Sequence, residues 1–247
     1  MSFFAKPVPT FAGHALGHPT CIKSLLFPNV LRRPLSGARA RMESIVETEY
    51  QRWEERYRVP DYVFGTAPNY FLASCRALLP HSGRALAVAD GEGRNGVWLA
   101  EQGLDVLSIE FSPAALRKAR ALAKERGVAV TFVQADVHSW DYPEAAFDVV
   151  VEIFTQFSSP AERARKWAGM RKALKPGGLL IIQGYTPKQL QYGTGGPKER
   201  ENLYTRAMLE DAFRDFHGVS IVEEEIEMQE GTRHSGMSAV IGLTARK

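Results

Sequence analysis

A chain of 247 residues accommodates one α/β domain with decorations and is short for two compact domains. Its 45% hydrophobic and 24% charged residues suit a globular protein. No apolar run is long enough to span a bilayer, and Cys21 and Cys75 build neither a disulfide framework nor a zinc site. The net charge of +3 is unevenly spread: residues 1–41 hold six of the 31 basic residues and no acid, leaving 25 bases against 28 acids, about −3, in the body. That balance argues against a nucleic-acid track on the body. The expectations are a small-molecule partner, no nucleic acid, no membrane, no metal and a reducing, cytoplasmic compartment. The balance does not bear on the oligomeric state.

In chain order, residues 1–41 are broken by Pro7, Pro9, Pro19, Pro28 and Pro34. This basic stretch reads as a disordered arm or as sequence ahead of a start at Met42. Its composition also fits an organelle-import segment. A helical pattern runs from residue 43 to about Tyr57, and a turn-rich segment spans Arg58 to Asn69. A short helix covers Tyr70–Leu79. Strand-like runs follow at Arg84–Ala89, Asp105–Glu110, Ala129–Gln134, Phe147–Glu152 and Leu179–Gly184, with helical runs at Asn95–Gln102, Pro113–Arg126 and Ala161–Ala173 between them. Strand–helix alternation with continuous apolar strands predicts a parallel sheet covered on both faces. The tail changes pattern: a helix at Arg206–Phe213, then strands at Val219–Met228 and Met237–Ala245 joined by Gln229–Gly236, an antiparallel pair.

The first strand runs into Asp90-Gly91-Glu92-Gly93-Arg94-Asn95-Gly96. Glycines there let a ligand approach the backbone at a helix N-terminus. Gly91, Gly93 and Gly96 fit G-x-G-x-x-G, a weak signal by itself. Glu110 ends the second strand, where a carboxylate accepts both hydroxyls of a ribose. Asp136 follows the third strand and faces the same crevice. Ser112 and Pro113 read equally as an N-cap and first helical residue beside that corner. The same features suit a nicotinamide oxidoreductase. However, no tyrosine is followed four residues later by lysine, and there is no room for a separate substrate domain.

These features, with Trp53-Glu54-Glu55-Arg56-Tyr57, Phe64-Gly65-Thr66-Ala67-Pro68-Asn69, Phe147-Asp148-Val149-Val150, Lys175-Pro176-Gly177-Gly178, Tyr185-Thr186-Pro187, Tyr192-Gly193-Thr194-Gly195-Gly196-Pro197 and Ala245-Arg246-Lys247, resemble the class I S-adenosylmethionine-dependent methyltransferases. Within that class they are similar to the tellurite-resistance (TehB-like) and thiopurine-methyltransferase-like branch. The resemblance covers residue 43 to the C-terminus. It implies an α/β, Rossmann-like, seven-stranded, mostly parallel sheet with an antiparallel C-terminal strand pair and helices on both faces. The methyltransferase domain would span 42–247.

The resemblance also implies S-adenosyl-L-methionine as cofactor. Gly91 and Gly93 would pass beneath its methionine part, Glu110 would hold the ribose, and Asp136 and Val137 would meet the adenine. Glu152 and Ile153 would floor the methyl-transfer site. The Arg56–Asn69 segment, with Arg56, Tyr62, Gly65 and Asn69, would close over the cofactor, and Ala89, Asp90, Asn95 and Phe111 complete its surroundings. The family's first strand usually ends in an acid, a spacer and a glycine. Ala87 and Ala89 stand there, so the cofactor's ammonium would need another anion, such as Asp90.

Phe154, Gln156, Phe157, Tyr185 and Tyr192 are expected to line the acceptor pocket. Residues 192–197 read as a glycine-rich lid carrying Tyr192 as a catalytic candidate. His234 is the second catalytic candidate. With Arg233 it reverses the order of a His–Arg pair in the tellurite-resistance branch. After the fourth strand, Glu152-Ile153-Phe154-Thr155-Gln156-Phe157 lacks the Pro-Pro-aromatic motif of base methyltransferases. A small acceptor with a thiol or other chalcogen nucleophile is favoured, since a free thiol is partly ionised near neutral pH. An O- or N-methyltransferase of a metabolite and a non-catalytic cofactor-binding scaffold are the alternatives.

Overall fold

The computed structural model describes residues 49–247. The basic arm, the boundary at residue 42 and the start of the first helix lie outside the described residues. Helix α1 is described over residues 49–57. Then come α2 (Tyr70–Ser74), continued by a 3-10 turn at Cys75–Leu78, β1 (Arg84–Val88), α3 (Arg94–Glu101), β2 (Asp105–Glu110) and α4 (Pro113–Arg126). The rest is β3 (Val130–Gln134), β4 (Phe147–Ile153), α5 (Pro160–Ala173), β5 (Leu174–Tyr185), α6 (Arg206–Ala212), β6 (His217–Glu230) and β7 (His234–Arg246). No helix among the described residues is long and apolar enough to cross a membrane.

The seven strands run in the order β3-β2-β1-β4-β5-β7-β6. The first five are parallel, and β7 is antiparallel to both β5 and β6. Side chains alternate across the sheet. Ala85, Val149, Val151, Leu179 and Ile181 pack against α2 and α3 through Leu72 and Leu99. Leu86, Val88, Val150, Leu180 and Ile182 pack on the opposite face with Trp167, Met170 and Phe213 of the α5 and α6 region. Burying both faces removes the alternating polar pattern, which is why these strands read as continuous apolar runs.

Strand order reverses between β1 and β4, so the crevice beyond their carboxyl ends is the expected ligand site. Local signals set its walls. The Ser112 side chain accepts from Ala115 N and caps α4, with Pro113 in the first turn. Ser159 and Glu162 form a capping box at α5.

Two boundaries differ from the sequence reading. Lys175-Pro176-Gly177-Gly178 is not a separate turn: pairing jumps from Phe147↔Leu174 to Val149↔Leu179, so it is a bulge inside β5. The β6–β7 connection is shorter than the eight residues read from the sequence. Glu230 pairs with His234 and leaves a three-residue turn, so His234 belongs to a strand.

Candidate active site

Two adjoining cavities open at the carboxyl ends of the parallel strands. The smaller, about 60 Å³, lies over the glycine turn and is lined by Ala89, Asp90, Gly91, Arg94, Asn95, Glu110 and Ile153. The larger, about 1340 Å³, extends past Phe111, Asp136 and Val137 to Tyr185, Arg233 and residues 193–199. Trp53, Phe64, Ala89, Phe111, Phe154, Phe157 and His234 line both, so together they form one crevice.

The turn opens on a non-glycine residue in a conformation that favours glycine. Ala89 has φ 49°, a left-handed conformation that side chains rarely adopt. Asp90 does not project into the crevice as a free anion. Its carboxylate folds beneath the turn, accepting Gly96 N at 3.1 Å and Ser108 Oγ at 3.0 Å. Ser108 is the register partner of Ala87, so the Asp90 carboxylate ties the turn to β2 beside β1. Glu110 accepts Gly91 N at 3.0 Å and Ser112 N at 2.9 Å, fixing turn and helix start to one buried carboxylate. Burial pushes Asp90 and Glu110 each up to about 7, against the hydrogen bonds they accept. Asp136 is held below its usual value by the His138 side chain beside it.

A cap covers this corner. Trp53 and Tyr57 of α1 stack on each other, and Phe64 packs against both. The Tyr57 hydroxyl sits 2.8 Å from where a Cβ on Gly91 would lie. The cap segment is tied down by Glu92, which accepts Val63 N at 2.8 Å and pairs with Lys118 at 2.7 Å. Arg56 lies over the Trp53 ring at 4.3 Å and lines the larger cavity. Burial, then repulsion by Arg52 and Arg233, lowers its pKa.

Several expected site residues have other partners. Tyr62 lies outside the lining of both cavities, its hydroxyl donating to the Lys118 carbonyl at 3.0 Å. Gly65 backs onto Gly231 of the β6–β7 turn. Asn69 is fully buried; it caps α2 and donates to Gln183 at 2.7 Å, so it braces the cap from behind. A Cβ on Gly93 would meet Ala119 Cβ at 2.6 Å, so that glycine serves close packing of α3 on α4.

Glu152 does not floor the site. It points into a buried network with Lys166 at 2.7 Å, Trp167 at 2.7 Å and Tyr204 at 2.8 Å, and with Thr155. Only its neighbour Ile153 reaches the cavity lining. Tyr192 turns away to bond Glu225 on β6 and does not line either cavity, which removes its catalytic assignment.

Phe154, Gln156, Phe157 and Tyr185 do line the larger cavity. Gln156 is also a strut, donating to the Tyr185 carbonyl at 2.9 Å. Phe154, at φ 55°, stacks near Tyr185 with ring centres 4.6 Å apart. The lid follows this wall, because a Cβ on Gly196, at φ +82°, would lie 2.8 Å from Tyr185 Cδ2. His234 completes the wall, 4.5 Å from Phe64 and 4.6 Å from Phe154 between ring centres.

The sequence reading did not single out Glu230 or Arg94. They form a buried ion pair of 2.6 Å behind His234. Arg94 lies inside the glycine motif and was legible there. Glu230 ends an acid-rich strand whose sequence does not distinguish one glutamate from the next.

Residues 85–178 match a family model described as a methyltransferase domain. A demethylmenaquinone methyltransferase of Thermus thermophilus is 33% identical over 106 residues, 42% of this chain and 48% of that protein. The chain therefore spans about half the length of the curated relatives it matches. Among solved structures, the N-methyltransferase NodS of Bradyrhizobium japonicum, in complex with S-adenosyl-L-homocysteine, superimposes with TM-score 0.61 at 15% identity. It covers 80% of this chain and 97% of that one. TehB of Haemophilus influenzae gives TM-score 0.58 at 13% identity, covering 81% and 67%. Sheet order, crevice position and these matches agree: residues 85–178 are similar to a methyltransferase domain, and the chain shares the fold of these solved methyltransferase structures.

Proposed function

We propose that the protein transfers a methyl group from S-adenosylmethionine to a small-molecule acceptor. The observation that carries this reading is the crevice at the strand reversal, in which the glycine turn and Glu110 open continuously into an aromatic-walled cavity. The residues fit the cofactor. Glu110 and the turn's peptide groups suit a ribose and an amino-acid tail, while Phe111, Asp136 and Val137 suit an adenine. Apart from the imidazole taken up below, two buried polar atoms of residues lining the larger cavity, Trp53 Nε1 and Asn202 Oδ1, have no hydrogen-bond partner among the described residues. When bound, the cofactor supplies an activated methyl group on a sulfonium.

The protein's part is alignment and exclusion of water. The Trp53–Tyr57–Phe64 cap shields the reacting centre, and Phe154, Phe157 and Tyr185 hold the apolar part of the acceptor. Because the cap leaves only about 60 Å³ over the turn, it must shift for a methionine moiety to enter. His234 is our candidate general base, neutral because burial lowers its pKa.

The thiol or chalcogen preference rests on the partial ionisation of a free thiol and on the resemblance, the tellurite-resistance branch on the resemblance alone, and the matched relatives support neither. An imidazole at the acceptor wall suits any acceptor that must lose a proton, a hydroxyl or activated carbon as well as a thiol. The test is S-adenosylhomocysteine release with a panel of thiols, phenols, quinols and tellurite. With an acceptor that turns over, His234→Asn is expected to lower kcat by about 10²–10⁴-fold while S-adenosylhomocysteine still binds. Unchanged kcat would remove His234 from the chemistry.

A further inference from the structure

We infer that Glu230 is the positioning residue of this site, one carboxylate that orients the His234 imidazole while tying it to the glycine-turn helix and the cap. The inference rests on the methyl-transfer reading above. Glu230 ends β6 and faces His234 in register across the three-residue turn. Its carboxylate is shared by three elements: Arg94 Nη2 of α3 donates at 2.6 Å, Tyr70 N at the start of α2 at 2.9 Å, and Asn69 Nδ2 at the end of the cap at 3.1 Å. The fourth neighbour is His234 Nδ1, 3.9 Å away.

That nitrogen is buried without a partner among the described residues. A buried polar atom is normally satisfied, and hydrogen bonds between catalytic groups are commonly long before ligand binds. A shift of about 1 Å brings Nδ1 to hydrogen-bond distance of Glu230. Other elements facing the ring bring Arg94, Arg56, Arg233 as its chain neighbour, and Tyr185. Arg94 is already paired, and Arg94 and His234 hold Glu230 ionised, at about 2, against the effect of burial. Glu230 is thus the anion placed to accept from Nδ1–H, which leaves Nε2 unprotonated for the cavity that the ring lines.

The step then balances. The acceptor's X–H proton passes to Nε2 as the X–C bond forms. A bound S-adenosylmethionine would supply the methyl and keep the C–S electron pair on its sulfur, and the imidazolium, faced by Glu230, would return the proton to solvent after release. The cap joins the same arrangement. Thr232 N donates to the Val63 carbonyl at 3.0 Å, so the turn next to His234 is bonded to the segment over the cofactor corner. Setting the cap and setting the imidazole are one adjustment.

The experiment is nitrogen-15 NMR of histidine-labelled full-length protein, alone and with saturating S-adenosylhomocysteine, in wild type and Glu230→Gln. We expect the Nδ1–H tautomer for His234 in wild type. In the glutamine variant, which can still accept from Tyr70 N, the His234 pKa should fall by about one unit or more. The Nε2–H tautomer in wild type, with or without the ligand, would overturn the assignment and needs no variant to fold. An unmoved pKa in folded Glu230→Gln would overturn it as well. Failure of S-adenosylhomocysteine to bind wild type strikes the methyl-transfer reading instead, and the tautomer of the ligand-free protein still decides the place of Glu230.

Discussion

Two buried carboxylates, Asp90 and Glu110, carry most of the electrostatic tension around the glycine turn. Each is pushed up to about 7 by burial, and each raises the energy of ionising the other in this small volume. Their folded values lie above the ordinary 3.8 and 4.5. Folding therefore takes up protons in that window, and the stability this contributes is lost as pH rises through about 7. On the proposed reading a ribose would be held by the ionised form of Glu110, so ligand affinity would run the opposite way.

We predict that S-adenosylhomocysteine binds wild type more tightly as pH rises from about 6 to about 8, and that Glu110→Gln flattens this dependence. The variant should weaken binding about tenfold or more, the worth of one charge-assisted hydrogen bond. Titration calorimetry across pH measures both, and melting curves should show a shallower loss of stability with pH in the variant. An equal pH slope in the two proteins would remove Glu110 from the ribose site. At this scale Glu110 stood out as a crevice candidate because a strand end announces itself locally, whereas His234 was marked by the family resemblance alone. It misled on Glu152, which shares its strand end with Ile153. The side-chain period of two sends neighbours to opposite sides, and Lys166, in the middle of α5, draws the carboxylate under the sheet.

At the scale of elements, the turn after β4 is held by that same pair. Lys166 Nζ donates to the Thr155 carbonyl at 2.9 Å and its hydroxyl at 2.6 Å, and pairs with Glu152 at 2.7 Å, with both charges fully buried. The carboxyl, which burial would raise, stays below its usual value because Lys166 lies beside it. Above this pair Phe154 sits in the left-handed region and presents its ring to both cavities. Lys166→Met leaves Glu152 buried and unpaired and should cost about 3–5 kcal/mol of stability. The double variant with Glu152→Leu should recover much of that loss. Chemical denaturation of the three proteins is the check, and an unaltered midpoint in the single variant would contradict it.

The helices and strands were legible within a few residues because both sheet faces are buried and caps such as Ser112 and Ser159 mark helix starts. The β6–β7 turn was not: its eight polar or small residues read as loop, whereas long-range pairing extends both strands through them. That extension is what brings His234 against Glu230.

For the whole molecule, the strand reversal between β1 and β4 sets one crevice, and the additions on either side complete it. The α1 cap closes over the glycine turn from the N-terminal side, and the antiparallel β6–β7 pair brings His234 and Arg233 from the C-terminal side. The two additions meet where Thr232 bonds Val63 and where Glu230 bonds Asn69 and Tyr70. Sequence pattern gave the parallel core, since apolar period and glycine spacing are local. The meeting of cap and hairpin joins residues about 160 positions apart, beyond the reach of any local pattern. The central claim is that this crevice holds S-adenosylmethionine. Isothermal titration of the full chain with S-adenosylhomocysteine, beside NAD as a control, tests it most directly. Saturable binding of one S-adenosylhomocysteine per chain, with none of NAD, is the predicted result. Binding of NAD in its place, or of neither, would contradict the account.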